Sequence, residues 1–286
     1  MYPTQQGLYD PQFEHDSCGV GFAVNVNGKR SHQIVADGIT ILRNLVHRGA
    51  VGGDSITGDG AGLLLQLPHD FFVKTSDSFG VRLPEAGGYG VAMLFLPRDS
   101  ATRAEAGRIV ERTVAQEGGG VAGWRDVPGE PGCLGGMALH SMPVIRQAFV
   151  TFPSLSGEPL ERKLYVTRRC IERAALERGL PASDFYVCSF SSRTITYKGM
   201  FVAPQLEAFY PDLADADFQS AFALVHQRYS TNTFPTWERA QPFRLLCHNG
   251  EINTLRGNIS WMRAREADLV RSARPYFGDA SGIWRR

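Results

Sequence analysis

The sequence predicts an α+β protein whose sheets are largely antiparallel. The predicted strands occur in clusters and hairpins, and the predicted helices lie between these clusters. A doubly wound parallel sheet would instead alternate single strands with helices along the chain. The 286 residues are 43% hydrophobic and 21% charged, which is ordinary for a folded protein and supplies apolar side chains for a sizeable core.

Hydrophobic spacing and turn residues place the individual elements. Residues 19–26 are predicted to form a strand, because the turn-forming pair Asn27-Gly28 follows this apolar run. Residues 33–47 are predicted to form a helix, because their apolar side chains recur every three or four positions and Gly49 follows them. Similar patterns predict strands at residues 63–67, 90–96, 185–190, 194–197, within 218–229 and at 243–247, and helices at 101–116, 158–178 and 253–269.

Charge and cysteine content exclude several classes of protein. The formal net charge of +1 implies no broad basic surface, so no nucleic-acid partner is expected. The five cysteines are widely spaced and contain no C-x-x-C pair, which argues against a disulfide scaffold and against a structural zinc site. No apolar run approaches the ~18 residues of a membrane-spanning helix. We therefore expect a cytoplasmic protein with reduced thiols and no membrane partner.

The N-terminal segment has an uncommon composition. Residues 1–17 contain two prolines and neither lysine nor arginine, so they match neither a secretory signal nor a transit peptide. A frayed tail is one interpretation, but Cys18 follows the segment directly. If the chain were cleaved before Cys18, the new α-amino group, with a pKa of about 7.7–8.0, could accept the thiol proton. A buried structural cysteine is the alternative, and it is our interpretation of the other four cysteines.

Two glycine-rich runs and two histidines could in principle bind a ligand. Residues 118–123 match G-x-G-x-x-G, but they follow a predicted helix rather than a strand, so no nucleotide site is expected there. His47 and His248 are not spaced like metal ligands on one element, and both are predicted to be structural. Residues 57–62 (TGDGAG) are predicted to form a flexible loop whose backbone could approach a ligand.

Five motifs together carry a family resemblance. They are CGVGF at residues 18–22, HRGA at 47–50, TGDGAG at 57–62, HQRYSTNT at 226–233 and CHNGEINTLRGN at 247–258. This set resembles the glutaminase domain of glutamate synthase large chains, a class II glutamine amidotransferase of the N-terminal-nucleophile superfamily. The resemblance implies a four-layer αββα sandwich with mainly antiparallel sheets. It also implies a propeptide at residues 1–17, removed autocatalytically, and an amidotransferase domain at residues 18–286 that is truncated at its C-terminal end.

The resemblance assigns the catalytic roles to three residues. Cys18 would attack the side-chain amide of glutamine, with its own α-amino group as the general base. The Asn249 side chain and the Gly250 backbone N–H would hold the tetrahedral oxyanion, as preorganised donors do in acyl transfer.

The resemblance also implies three residues of the substrate pocket. Arg228 would bind the α-carboxylate of glutamine, Thr231 would line the same pocket, and Arg48 would brace the surroundings of the nucleophile. Two alternatives remain open at this point, since Arg48 could cap the preceding helix and Thr231 could merely shape a turn. The aspartate with which the family holds the substrate α-amino group has no counterpart in its usual motif after Gly250.

The implied function is hydrolysis of L-glutamine to glutamate and ammonia. The ammonia would pass to 2-oxoglutarate, as an iminoglutarate, in a synthase domain that this chain does not contain. FMN and an iron–sulfur cluster are expected in that synthase region and no cofactor in this chain. The electron donor would be a small subunit carrying NADPH and FAD, or ferredoxin. The alternatives are another class II amidotransferase or N-terminal-nucleophile amidase, and a non-catalytic interaction module.

Overall fold

The structure is a computed structural model that describes residue 7, residue 10 and residues 19–229, 233–244, 246–248 and 255–277. The strands described are β1 (Val20–Val24), β2 (Ala61–Gln66), β3 (Gly90–Leu96), β4 (Gly120–Asp126), β5 (Val144–Thr151), β6 (Tyr186–Ser191), β7 (Thr194–Gly199) and β8 (Phe222–Gln227). The α-helices described are α1 (His32–Asn44), α2 (His69–Ser76), α3 (Ser100–Gln116), α4 (Gly136–His140), α5 (Gly157–Glu177), α6 (Ala203–Phe209) and α7 (Leu255–Phe277).

The strands form two four-stranded sheets in which every pairing is antiparallel. The first sheet has the order β1-β8-β2-β7, and the second has the order β4-β5-β3-β6. β6 and β7 follow one another in the chain but belong to different sheets, so the turn between them joins the two sheets. Glu161 on α5 stabilises this turn by accepting hydrogen bonds from the Ser191 hydroxyl at 3.0 Å and from the Ser192 backbone N–H.

Two apolar cores stabilise this unit, and β3 contributes to both. Successive side chains of a strand point to opposite faces of the sheet. The odd-numbered residues Val91, Met93 and Phe95 lie in the larger core, which also includes residues of α1 and of the first sheet. The even-numbered residues 92, 94 and 96 lie in the smaller core with α3 and α5. The elements therefore pack in layers, in the order α3 and α5, the second sheet, the first sheet and α1.

The predicted α+β class and the antiparallel sheets are confirmed. The predictions of β1, β2, β3, β6, β7 and β8, and of α1, α3, α5 and α7, hold with ends displaced by a few residues, and α7 is longer than predicted. Sequence reasoning missed β4, β5, α2, α4 and α6. β4 was missed because glycine is depleted in strands, and residues 118–120 and 123 are all glycine.

The predicted strand at residues 243–247 is wrong. The Phe243 backbone N–H donates to the Leu246 carbonyl at 2.8 Å, and the described residues of this segment belong to no strand. The Arg244 side chain donates to the Val187 carbonyl at 2.5 Å. A short apolar run cannot by itself distinguish a strand from a segment that side chains hold in place.

The G-x-G-x-x-G run lies at the end of α3 and the start of β4. Gly118 has a φ of +85°, and the Gly119 backbone N–H donates to the Val114 carbonyl at 2.9 Å, a helix-ending arrangement that favours glycine. The run therefore lies at the negative C-terminal end of a helix, whereas phosphate groups bind at the positive N-terminal end.

The contacts of the chain separate residues 250–286 from residues 1–249 as a second unit. In its described part this unit is the single helix α7, and every described side chain from Arg256 to Glu266 is exposed to solvent. Across the described residues, no helix is both long and apolar enough to cross a membrane.

Candidate active site

The pairing of β1 with β8 brings together two of the sequence motifs. Val20 lies opposite His226, and the Gln227 backbone N–H donates to the Gly19 carbonyl at 2.8 Å. Gly19 follows Cys18 in the chain, and Gln227 precedes Arg228. The pairing therefore connects the sequence around the predicted nucleophile with the sequence around the predicted carboxylate-binding arginine.

Arg228 lies at the end of β8 and is only 7% exposed. Its backbone N–H donates to the Gly60 carbonyl at 2.7 Å. The guanidinium donates to the Asp59 carbonyl at 3.3 Å through Nη1 and to the Thr233 hydroxyl at 2.7 Å through Nη2. Burial lowers the pKa of Arg228, while the nearby charge of Asp59 opposes that shift. A guanidinium held in this way presents a fixed fork of N–H donors, the geometry that suits a carboxylate.

The turn that contains Arg48 lies against the same end of β8. Arg48 belongs to the short 3₁₀ helix Val46–Arg48 that follows α1. A Cβ atom built on Gly49 would lie 2.4 Å from Nε2 of Gln227, so any larger residue here would have to displace the Gln227 side chain. The Nε of Arg48 is buried and has no hydrogen-bond partner among the described residues, so Arg48 does not cap α1 through that atom.

The glycine-rich loop between α1 and β2 is ordered by its own polar groups. The Asp54 carboxylate accepts hydrogen bonds from the Thr57 hydroxyl at 2.6 Å, from the Thr57 backbone at 2.7 Å and from the Met137 backbone at 3.2 Å. These bonds, above all that of the Thr57 hydroxyl, hold the pKa of Asp54 well below its ordinary value. A Cβ atom on Gly58 would lie 2.1 Å from the Phe201 backbone, so the loop packs too closely for a side chain. These contacts support the loop backbone that leads to Asp59 and Gly60.

His226 on β8 fixes the backbone just before residue 249. Its Nε2 lies 2.9 Å from the His248 carbonyl, which requires the tautomer with a proton on Nε2. Burial lowers the pKa of His226 to about 4, so the ring is neutral near pH 7. Its Nδ1 is buried without a hydrogen-bond partner in the part of the chain that the structure describes.

The structure describes two of the six predicted site residues. Arg228 and the turn of Arg48 both lie at the end of β8. Four predicted residues lie outside the described residues: Cys18, Thr231, Asn249 and Gly250. Sequence reasoning did not single out Asp59, Thr233 and His226, although all three lie inside the motifs that carried the family resemblance.

None of the described cysteines forms a disulfide. Cys188 is fully buried as predicted, and burial raises its pKa to about 12. Cys133, Cys170 and Cys247 are only half-buried, contrary to the prediction for them. Among the described residues, no group of three or more His, Cys, Asp or Glu side chains is arranged to hold a metal ion. His47 makes a local bond, with Nδ1 3.0 Å from the Asn44 carbonyl, as expected of a structural histidine.

Comparison with known families decides what this arrangement belongs to. The family model described as "Glutamine amidotransferases class-II" matches residues 18–280, a match that begins at Cys18. The chain belongs to the class II glutamine amidotransferases. The family resemblance predicted from the five motifs is thereby confirmed.

This amidotransferase is also similar to a part of much longer proteins. It is 51% identical over 270 residues to "Glutamate synthase [NADPH] large chain" of Bacillus subtilis, covering 94% of this chain and 17% of that protein. It is 47% identical over 277 residues to the protein of the same name from Azospirillum brasilense, covering 96% and 18%. It is 44% identical over 270 residues to "Ferredoxin-dependent glutamate synthase 2, chloroplastic" of Arabidopsis thaliana, covering 94% and 16%.

The amidotransferase chain thus spans less than a fifth of the length of these relatives. The relatives differ in the electron donor that their names give, NADPH or ferredoxin, yet they match this chain at similar identity.

Proposed function

We propose that this chain is the glutamine-hydrolysing part of a glutamate synthase. One observation carries the proposal. The hydrogen bond between the Gly19 carbonyl and the Gln227 N–H, at 2.8 Å, places the residue after Cys18 beside the residue before Arg228. A nucleophile and a carboxylate-binding arginine at adjacent strand ends match a substrate that carries an amide at one end and an α-carboxylate at the other.

The proposed reaction begins once residues 1–17 have been removed. The α-amino group of Cys18 takes the thiol proton, and Sγ attacks the side-chain amide carbon of glutamine. A C–S bond forms and the carbonyl electrons move to oxygen, giving an oxyanion that Asn249 and Gly250 stabilise. Collapse of this intermediate breaks the C–N bond, and the leaving nitrogen takes the proton to depart as ammonia. Water then hydrolyses the γ-glutamyl thioester, which releases glutamate and restores the thiol.

Substrate binding in this proposal depends on Arg228. The guanidinium is nearly buried and is held by the Asp59 carbonyl and the Thr233 hydroxyl, so its orientation is set before glutamine arrives. Preorganised donors bind a carboxylate with less loss of side-chain freedom than a mobile arginine would. Thr231 would line this pocket, and Arg48 would support it from the turn packed on Gln227.

The ammonia would be used elsewhere in the full-length protein. We propose that a synthase region delivers it to 2-oxoglutarate and reduces the resulting iminoglutarate to glutamate. FMN and an iron–sulfur cluster would belong to that region and not to this chain. The electrons would come from a small subunit carrying NADPH and FAD, or from ferredoxin.

Steady-state glutaminase kinetics on two variants of the complete protein test the proposal. Asn249→Ala removes a donor to charge that exists only in the transition state, so it should lower kcat by roughly 10²–10³-fold and change KM little. Arg228→Lys loses the bidentate fork to a carboxylate that is charged throughout, so it should raise KM strongly.

Arg173→Lys is the matched control, because Arg173 is exposed on α5, where it pairs with Glu177, and its kinetics should equal those of the parent. A substrate without the α-carboxylate should be turned over poorly by the parent. If Asn249→Ala alters KM alone while Arg228→Lys behaves like the parent, the proposed roles are wrong. Retention of residues 1–17, with no thiol labelled by a glutamine-like electrophile, would instead favour a non-catalytic module.

A further inference from the structure

Lys198 on β7 is an unusual buried cation. Its side chain is 0% exposed. The ammonium donates to the Ala240 carbonyl at 2.6 Å, to the Glu238 carbonyl at 2.8 Å and to the Tyr186 hydroxyl at 3.2 Å. Each of these acceptors is uncharged, and together they match the three N–H donors of a lysine. Burying a cation without a carboxylate partner is costly, so an apolar side chain would fill this space more favourably.

The position of the ammonium shows what the buried cation stabilises. Two of its three acceptors are backbone carbonyls of the segment at residues 238–244. Aromatic rings lie close on two sides, since Nζ is 4.6 Å from the centroid of Tyr186 and 4.9 Å from that of Phe243. Burial lowers the pKa of Lys198 to about 8, which reflects the same exclusion of water. Lys198 therefore ties the 238–244 segment to the two strands β6 and β7.

Gln241 connects the segment that Lys198 holds to the backbone next to the predicted oxyanion site. Gln241 is 7% exposed, and its side-chain oxygen accepts a hydrogen bond from the His248 backbone N–H at 3.0 Å. The His248 carbonyl accepts from Nε2 of His226 at 2.9 Å. Both backbone polar groups of His248 are thus held, one by Gln241 and the other by β8. Residue 249 follows directly.

We infer that Lys198 and Gln241 are positioning residues for the oxyanion-stabilising pair Asn249 and Gly250. The inference rests on the proposed function, because it needs Asn249 to donate to the oxyanion. Neither residue touches the substrate in this inference. Lys198 fixes the backbone on which Gln241 stands, and Gln241 fixes the His248 N–H from which the oxyanion site continues.

The decisive variant is Gln241→Met in the complete protein, because methionine has a similar length and only a weak thioether acceptor in place of the amide oxygen that holds the His248 N–H. Displacement of a transition-state donor should lower kcat roughly 10- to 100-fold while KM stays within about twofold. Gln241→Glu keeps an oxygen at the same place and should restore most of the turnover. Gln219→Met is the matched control, since the Gln219 amide donates to the Ala216 carbonyl of its own turn, and its kinetics should not change.

Lys198→Met should reproduce the kinetic pattern of Gln241→Met, because it releases the backbone that carries Gln241. Lys163→Met is its control, since Lys163 pairs with Glu117 in the other half of the molecule. Where Lys198→Met does not fold, Lys198→Arg, which keeps a charged donor, takes its place and should lower kcat less than Gln241→Met does. A kcat for Lys198→Arg below that of Gln241→Met would contradict the inference that Lys198 acts through Gln241.

A double-mutant cycle separates positioning from a general loss of structure. Residues that act through Asn249 should be silent once Asn249 is gone, so Gln241→Met should not lower kcat further in the Asn249→Ala background. Additive losses, or a normal kcat in Gln241→Met, would overturn the inference while the loss in Asn249→Ala left the proposed function standing. If Asn249→Ala itself kept full turnover, the proposed function would fail instead.

Discussion

The helix-facing side of the second sheet and the strands of the first sheet bury different kinds of side chain. Where the second sheet faces α3 and α5, the strand residues are apolar, among them Leu94 and Val150. The first sheet buries Lys198, His226 and Gln227 on its strands, and Arg228 directly follows β8. Every described residue of the candidate site lies on the first sheet or on a segment packed against it. An apolar core stabilises without fixing direction, whereas a buried polar group is stable only with its partners in place.

This contrast distinguishes the smaller apolar core, which acts as scaffold, from the polar groups of the first sheet, which belong to the site. The smaller core can lose some packing with a change in stability alone. The polar groups of the first sheet hold backbone carbonyls and N–H groups at set distances, so their loss should change geometry as well as stability. Three predictions test whether the contrast holds, in order of expected effect.

The largest effect is expected at the buried ion pair that joins the two halves. Arg125 on β4 donates to both carboxylate oxygens of Asp212, at 2.7 and 2.8 Å, and Tyr197 on β7 donates to the same carboxylate at 2.8 Å. Arg125→Met leaves Asp212 buried without its cation, so the free energy of unfolding should fall by about 3–5 kcal/mol. Denaturant unfolding measures the change.

The double variant Arg125→Met/Asp212→Leu removes both charges and should recover part of this loss. Arg108→Met is the control, since Arg108 pairs with Glu105 on the exposed face of α3, and its change should stay below about 1 kcal/mol. Equal losses in Arg125→Met and Arg108→Met would show that the buried pair adds nothing to the joint between the sheets.

The second prediction concerns stability in acid and His226. Its pKa is lowered by burial from 6.5 in the unfolded chain to about 4 in the native chain. Between these pH values the unfolded chain binds a proton that the native chain does not, so stability falls as the pH falls. The total loss from His226 should be about 3 kcal/mol by pH 4. Denaturant unfolding at a series of pH values measures it.

His226→Gln keeps an N–H donor for the His248 carbonyl and cannot titrate. Its stability should therefore fall less steeply between pH 6.5 and 4 than that of the parent. His140→Gln removes a histidine from an exposed position at the end of α4 and serves as the control. Parallel pH profiles for the parent and His226→Gln would refute the assignment.

The smallest effect is expected in the smaller core. Ile171 on α5 is 1% exposed and packs in that core. Ile171→Val removes one methylene group, so it should cost about 1 kcal/mol of stability and leave kcat and KM for glutamine unchanged. Ile39→Val on α1 is a matched change in the larger core, on the helix that leads to Arg48. A shift in kcat from Ile171→Val would break the separation between scaffold and site.

Sequence patterns predicted those elements whose own residues decide their conformation. β3 was predicted because it is an unbroken apolar run, and α5 because its apolar residues recur at helical spacing. β4 was missed because its glycines disfavour a strand, and pairing with β5, including a bulge between Val121 and Gly123, overrides that preference. The segment at residues 243–247 was mistaken for a strand because the bond that holds it, from Arg244 to the Val187 carbonyl, cannot be inferred from its own residues.

The sequence by itself determined the family, because motifs such as HQRYSTNT and CHNGEINTLRGN are local strings, and the same motifs supply the prediction of the site residues. It also determined which faces of the strands and helices are apolar, since that periodicity is local too. Only the tertiary structure decided that β1 pairs with β8, which brings Gly19 to Gln227 across roughly 200 residues of chain. It alone decided that Lys198 is buried against the backbone of residues 238–240. The physical reason is that hydrophobic periodicity shows which face of a strand or helix must be buried. Which other element packs against that face depends on the packing of the whole chain.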